Sequence, residues 1–140
     1  MCQRENVLFC VDTVTSIGGV ELRVDEWGID ACYAGTQKCL NCPPGLGPIS
    51  FSQRARDKMN QKEKGRNWYL DLRSIEKYLV PQPGVKRAYH HTAPISMILA
   101  LHEALRVVQA EGLENRWKRH QETSEYLWAK CESIGLKLHV

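Results

Sequence analysis

The stretch Val7-Leu-Phe-Cys-Val11 is apolar throughout and stops at Asp12. A strand with one wet face would alternate apolar and polar residues. This run does not, so both its faces are expected to be covered, as in a parallel sheet between helices. Asp12 then sits where the strand leaves the sheet, and open α/β sheets present ligands at the carboxyl ends of their strands. Ile29–Thr36 is a second short buried-strand candidate and Ile49–Phe51 a third. The fold class read from this pattern is α/β.

The segments between follow their turn chemistry. Thr13–Gly19 is a small, polar loop ending in Gly-Gly, Glu21–Val24 a short strand or connector, and Asp25–Gly28 a turn. Asn41–Pro48 is dense in turn formers and reads as a loop of fixed shape. Ser52 is placed to cap a helix over Gln53–Met59. Asn60–Asn67 reads as a charged loop, Trp68–Val80 as an irregular or helical segment, and Pro81–Arg87 as a further loop. Thr92, ahead of Ala93-Pro94, is expected to cap a helix. Its apolar stripe is Ile95, Ile98, Leu99, His102, Leu105 and Val108, and it stops at Glu111-Gly112. Leu113–Ile134 is a second long helix closed by Gly135, with Leu113, Trp117, Tyr126, Leu127 and Ile134 as its apolar positions. Leu136–Val140 alternates like the start of a half-buried strand. A strand begun there, after a linking helix, reads as the edge of a further domain, and the chain as the middle of a larger protein.

Composition limits the partners. Of 140 residues 43% are apolar and 25% charged, which is globular rather than disordered. A net charge of +3, with basic residues scattered among acids, argues against a nucleic-acid partner. The longest uncharged apolar stretch, Ile95–Leu101, is far short of the ~20 residues a membrane span needs, so no membrane partner is expected. The opening residues carry mixed charge before only five apolar ones, unlike a signal peptide, so the six cysteines read as reduced and intracellular.

The pairing that carries most chemistry is Asp12 at one strand end and Lys38 after another. A desolvated lysine amine is a nucleophile able to form a Schiff base. Aldehyde cofactors such as pyridoxal phosphate use such a lysine, with a carboxylate holding the pyridine nitrogen protonated. The alternative is structural: Asp12 caps a turn and Lys38 is a surface residue past a strand end. Cys39-Leu-Asn-Cys42 has the spacing of a redox dithiol or half a zinc site. No second ligand pair is suitably spaced, and Pro-Pro-Gly rather than a helix follows, so packed thiols are the reading. His90 and His91 read as one packed and one exposed ring, His102 as core or interface, and Gly18-Gly19 as a backbone device.

Several segments in register carry a resemblance. They are Val11-Asp-Thr-Val-Thr-Ser-Ile-Gly-Gly19, Gly28-Ile-Asp30, Tyr33-Ala-Gly-Thr-Gln-Lys-Cys-Leu-Asn-Cys-Pro-Pro-Gly45, Ile49-Ser-Phe-Ser52, Tyr89-His-His-Thr92, and Glu111-Gly-Leu-Glu-Asn115 with Trp117. Together they resemble the alanine–glyoxylate (serine–pyruvate) aminotransferases, class V, fold type I pyridoxal-phosphate enzymes, with the insect 3-hydroxykynurenine transaminases in the same branch. The resemblance implies a pyridoxal 5'-phosphate cofactor. Lys38 matches the lysine that forms the Schiff base, Asp12 the carboxylate on the pyridinium nitrogen, Val14 the residue packed on the ring, and Gln37 a cofactor contact. Tyr89 and Thr92 match the pair that reaches the cofactor phosphate of the other subunit of a homodimer.

It further implies that residues 1–111 belong to the large, mainly parallel cofactor-binding domain, and 112–140 to the linking helix and start of a small C-terminal domain. The family's glycine-rich phosphate loop, ring-stacking aromatic and substrate-binding arginine have no counterpart in these 140 residues, so the chain alone is expected not to be a competent transaminase. The implied substrates are small amino acids and 2-oxo acids: alanine or serine with glyoxylate, or alternatively 3-hydroxykynurenine. A catalytically incomplete piece keeping only a dimer surface is the other alternative. The implied location is the peroxisome, or else the mitochondrion.

Overall fold

The computed structural model describes residues 2, 4–62, 67–80, 83–86 and 88–139. Parts of the loops expected at 60–67 and 81–87, and Val140, lie outside them. The elements in chain order are β1 (Cys10–Asp12), β2 (Ala31–Tyr33), β3 (Ile49–Phe51), α1 (Gln53–Asn60), α2 (Leu72–Leu79), α3 (Ile95–Glu111) and α4 (Leu113–Ser133). The sheet order is β1-β2-β3. β1 and β2 run parallel, with Asp12 opposite Tyr33, as expected for the two buried-strand candidates. β3 returns antiparallel to β2. Glu21–Val24 is a connector.

Two expectations fail in detail. Val7 and Phe9 are exposed and Val11 half-buried, because β1 is an edge strand with one paired neighbour among the described residues. On α3 only Val108 of the apolar stripe is buried. Ile95, Ile98, Leu99, Leu105 and also His102 are exposed, since among the described residues nothing covers those faces of α3. Leu101, Leu105 and Val108 line an apolar groove of about 770 Å³ with Ile17, Leu40 and Pro48. On α4, Leu113, Tyr126, Leu127 and Ile134 are likewise exposed.

The caps are partly as expected. Ser52 caps α1 by accepting from the Ala55 N–H at 3.1 Å. Asp71 caps α2, accepting from the Arg73 N–H. Thr92 does not cap α3. The capping position is Pro94, without a side-chain bond, and Thr92 lies two residues outside it with its hydroxyl held by Tyr89. Gly112, at φ 80°, is the single residue between α3 and α4. Residues 136–139 form no strand; Leu136 and Leu138 stay exposed, with no described strand beside them.

One buried carboxylate ties these pieces together. Asp30, 3% exposed, accepts from the Phe9 N–H at 2.8 Å, the Ser52 hydroxyl at 2.8 Å and Arg54 Nε at 2.9 Å, and it also pairs with Arg54 Nη2. Its backbone carbonyl accepts from the Ser52 N–H at 2.8 Å. The run into β1, the start of β2 and the N-terminus of α1 therefore converge on one side chain. The Arg54 guanidinium, with the Phe9 and Ser52 donors, holds the Asp30 carboxyl far below the ordinary carboxylate range.

Removing one member of a buried pair leaves the other charge uncompensated, so Asp30→Asn is expected to destabilise the fold by about 3 kcal/mol in urea titration. A group whose folded pKa is depressed stabilises above its unfolded value and loses that contribution as pH falls. Stability should therefore decline as pH drops below the ordinary aspartate value of 3.8. In Asp30→Asn that slope should be shallower; equal slopes in both proteins would contradict the assignment.

Candidate active site

The site forms where the two parallel strands end. Thr13, fully buried, donates through both its N–H (2.9 Å) and its hydroxyl (2.6 Å) to the Tyr33 carbonyl. This double bond between neighbouring strand ends fixes Asp12 beside Tyr33. The Tyr33 hydroxyl donates to Asp12 Oδ2 at 2.6 Å, and the Val14 N–H donates to Oδ1 at 2.8 Å. Both bonds favour the ionised form, Tyr33 the more strongly, and hold the Asp12 carboxyl below its ordinary pKa, while the Tyr33 phenol is raised in turn.

Beyond β2 the chain makes a closed loop. Thr36, fully buried, donates its hydroxyl to the Pro43 carbonyl at 2.9 Å and accepts the Cys42 N–H at 3.0 Å. Within it the Asn41 N–H bonds the Lys38 carbonyl at 2.9 Å, with Asn41 at φ 54°. Leu40 and Cys42 are buried, and Gln37 and Lys38 are exposed at the tip. Among the described residues Lys38 is thus exposed: the loop buries its own anchors and leaves the lysine at its tip.

This loop lies against the one leaving β1. Cys39 Sγ donates to the Thr15 carbonyl at 3.2 Å, and a Cβ at Gly19 would stand 2.5 Å from that sulfur. Gly19 is therefore required by close approach, which is the backbone role expected of the Gly-Gly pair. At Gly35 an added Cβ would meet Val14 Cγ1 and Gln37 Oε1, both at 3.2 Å. The residues matched to ring packing and cofactor contact, Val14 and Gln37, thus flank one backbone position.

The structure brings Asp12, Val14, Gln37 and Lys38 onto two adjacent loops at the carboxyl ends of a parallel strand pair. Tyr89 and Thr92 form a separate pair before α3, hydroxyls 2.6 Å apart. Among the described residues no hydrogen bond or ring contact joins them to the other four. Between them, His90 is buried, stacked on Trp68 at 4.4 Å and bonded to His91 (Nδ1 to Nδ1, 2.7 Å), which is half-buried rather than exposed. All six cysteines are free, Cys42 buried and Cys39 half-buried. Sequence reasoning gave Tyr33 no role. Its only signal was its place one residue past the apolar core of β2.

The description "Aminotransferase class-V" matches residues 1–138 of this chain. The chain belongs to the class V aminotransferases. Among curated relatives, alanine–glyoxylate aminotransferase of Callithrix jacchus is 40% identical over 100% of this chain and 34% of its own length. Among solved structures, alanine–glyoxylate aminotransferase from Nostoc sp. superposes with a TM-score of 0.92 at 48% identity, over 99% of this chain and 36% of that one. Ureidoglycine–glyoxylate aminotransferase from Bacillus subtilis superposes with a TM-score of 0.88 at 41% identity, over 98% and 35%. The chain therefore spans about a third of the length of these relatives.

Class V aminotransferases use pyridoxal phosphate, and the donor set of this class V site fits that group. Asp12 is an ionised acceptor suited to a protonated ring nitrogen, Lys38 offers an accessible amine, and the side chains of Val14 and Gln37 converge beside the bare Cα of Gly35. Tyr33→Phe removes the stronger of the two bonds on Asp12. The Asp12 pKa is expected to rise toward 3.8, read by carbon NMR titration of the carboxyl. An unchanged midpoint would show that the phenol does not set this charge.

Proposed function

We propose that this protein is a pyridoxal-phosphate transaminase moving an amino group from alanine or serine to glyoxylate. The observation that carries the reading is the placement of Asp12 at the end of β1 and of Lys38 on the loop after parallel β2, which lies against the loop leaving β1, in a chain of the class V family. When bound, the cofactor supplies an electron-withdrawing ring that makes the substrate Cα–H acidic. Asp12 Oδ atoms accept from the protonated ring nitrogen and keep the positive charge there. Val14 would pack against the ring and Gln37 would offer it an amide. Lys38 Nζ is the amine that would hold the cofactor aldehyde, and once freed by the incoming amine it would serve as the general base for the Cα proton and as the acid that delivers it to the cofactor side.

A homodimer belongs to the same proposal. It is supported by the exposed Tyr89–Thr92 pair, which no described contact joins to Asp12 or Lys38. The loop hydroxyls would face an anionic phosphate of the neighbouring subunit.

Substrate choice is the finer part of the proposal. Relatives matched over this same stretch are named for alanine and for ureidoglycine as amino donors with glyoxylate. In this proposal Asp12, Val14, Gln37 and Lys38 hold the common chemistry, and glyoxylate is the acceptor those names share.

Assay of a full-length protein carrying these 140 residues, with alanine, serine or 3-hydroxykynurenine against glyoxylate, tests this. Turnover is expected with alanine or serine; a preference for 3-hydroxykynurenine would redirect the donor while leaving the cofactor chemistry intact. Lys38→Ala should abolish turnover, and Asp12→Asn should weaken both cofactor retention and rate. Normal steady-state transamination by Lys38→Ala would refute the assignment.

A further inference from the structure

Arg116 stands in the first turn of α4, with only 6% of its surface exposed. Its guanidinium is forked between two acceptors. Nη1 donates to Glu111 Oε2 at 2.6 Å, and Nη2 donates to the Cys39 carbonyl at 2.6 Å, 77 residues away in sequence. Its Nε is buried without a hydrogen-bond partner. Glu111 is itself fixed, because Arg119 donates to it through Nε at 2.5 Å and Nη2 at 3.1 Å. These two arginines lower the Glu111 carboxyl to about 2.

The acceptor at the far end is the carbonyl immediately after Lys38. On the N-terminal side the lysine is anchored by buried Thr36, through its bonds to Pro43 and Cys42. On the C-terminal side Arg116 grips the Cys39 carbonyl, and Cys39 Sγ rests on Thr15. Lys38 is thus the exposed tip between two buried clamps, one made by the loop and one by α4. A charge-assisted bond in a dry setting is about twice as strong as a neutral one, and a guanidinium cannot lose its proton to release it.

We infer that Arg116 is a positioning residue for Lys38, acting through the Cys39 carbonyl to fix the direction from which the lysine amine meets the cofactor aldehyde. The inference rests on Lys38 as the cofactor lysine. It makes the junction of α3 and α4 part of the site's geometry: a shift of α4 relative to the sheet is transmitted to the lysine through one rigid, planar side chain.

The test uses Arg116→Met and Arg116→Lys in the full chain, with two readouts. The first, taken without cofactor, is amide hydrogen exchange. Arg116→Met is expected to raise exchange at Leu40–Cys42 roughly tenfold, by loss of one buried charged bond, and to leave β1 and β2 unchanged. The second is titration with pyridoxal phosphate, followed by visible absorbance and by mass mapping of the borohydride-reduced adduct at Lys38. Arg116→Met should weaken cofactor binding roughly tenfold and move the pH midpoint of the visible band by about half a unit, the signature of a misdirected lysine.

Arg116→Lys keeps a charged donor for the carbonyl but not the planar fork, so it should recover affinity only in part and fall between wild type and Arg116→Met. Exchange and affinity of Arg116→Met both within twofold of wild type would overturn the inference. So would loosening spread evenly over the sheet, or a lysine variant as impaired as the methionine one. Should Arg116→Met fail to fold, Glu111→Gln loosens the other arm of the fork and must raise exchange at Leu40–Cys42; no rise overturns the inference. Failure of wild type to form an adduct at Lys38 would instead defeat the cofactor reading, and the exchange result would still decide what Arg116 does to the loop.

Discussion

A carboxylate withdrawn from water costs several kcal/mol unless every lone pair finds a donor, and Asp30 meets that demand with groups from three different segments. The requirement works as a register device. Phe9 must lie where its N–H reaches Oδ2, Ser52 where its hydroxyl reaches Oδ1, and Arg54 one helical turn start further on. Once these are met, Cys10 faces Ala31 and Asp12 faces Tyr33. A slip of one residue along β1 would take the Phe9 N–H from its acceptor and Asp12 from the Tyr33 phenol together. The strands are only three residues long, so the Phe9–Asp30 bond at one end and the Thr13–Tyr33 bonds at the other reinforce their few ladder bonds in fixing this alignment.

The second layer of order is made of backbone closures rather than packed apolar bulk. Among the described residues Thr13 and Thr36 are wholly removed from solvent, and each gives its hydroxyl to a carbonyl, Thr13 on the neighbouring strand and Thr36 across its own loop. Gly19 lets the sulfur of Cys39 lie against the loop after β1, and Arg116 closes the loop from α4. A reactive lysine needs a rigid base and a free tip, since an amine that wanders loses the orientational part of catalysis. The loop provides both because its anchors, not its lysine, are buried.

The sequence made the pattern of elements legible where a local signal sufficed: the apolar runs at β1 and β2, the Ser52 cap, the length of α3 and α4, and the turn-rich loop from Asn41. Burial was less legible. Val7, Phe9 and the α3 stripe read as covered because periodicity reports what a face prefers, while exposure depends on which elements stand opposite. Thr92 illustrates another limit. Its type and its place before Ala93-Pro94 suit a cap, but a hydroxyl 2.6 Å away at Tyr89 competes for it, and no local rule contains that long-range choice. The motif residues Asp12, Val14, Gln37 and Lys38 were legible as a set. Tyr33 and Arg116 were not, since an aromatic at a strand end reads as packing and an arginine on a charged helix as surface.

Asp12 shows why the structural and chemical readings of a site residue need not compete. It does make the turn that the plainer reading assigned to it, accepting from the N–H two residues ahead. A carboxylate has about four lone-pair directions, and the Val14 N–H and the Tyr33 phenol occupy two. What remains is an oriented anion with acceptor capacity to spare, its charge secured by the very bonds that shape the turn. A residue that only capped the turn would serve as well as Asn, which accepts the same N–H. Only a carboxylate gains charge stabilisation from the phenol and can return it to a protonated ring nitrogen. The Tyr33 contact is therefore the feature that favours the chemical reading proposed for Asp12 over the turn alone.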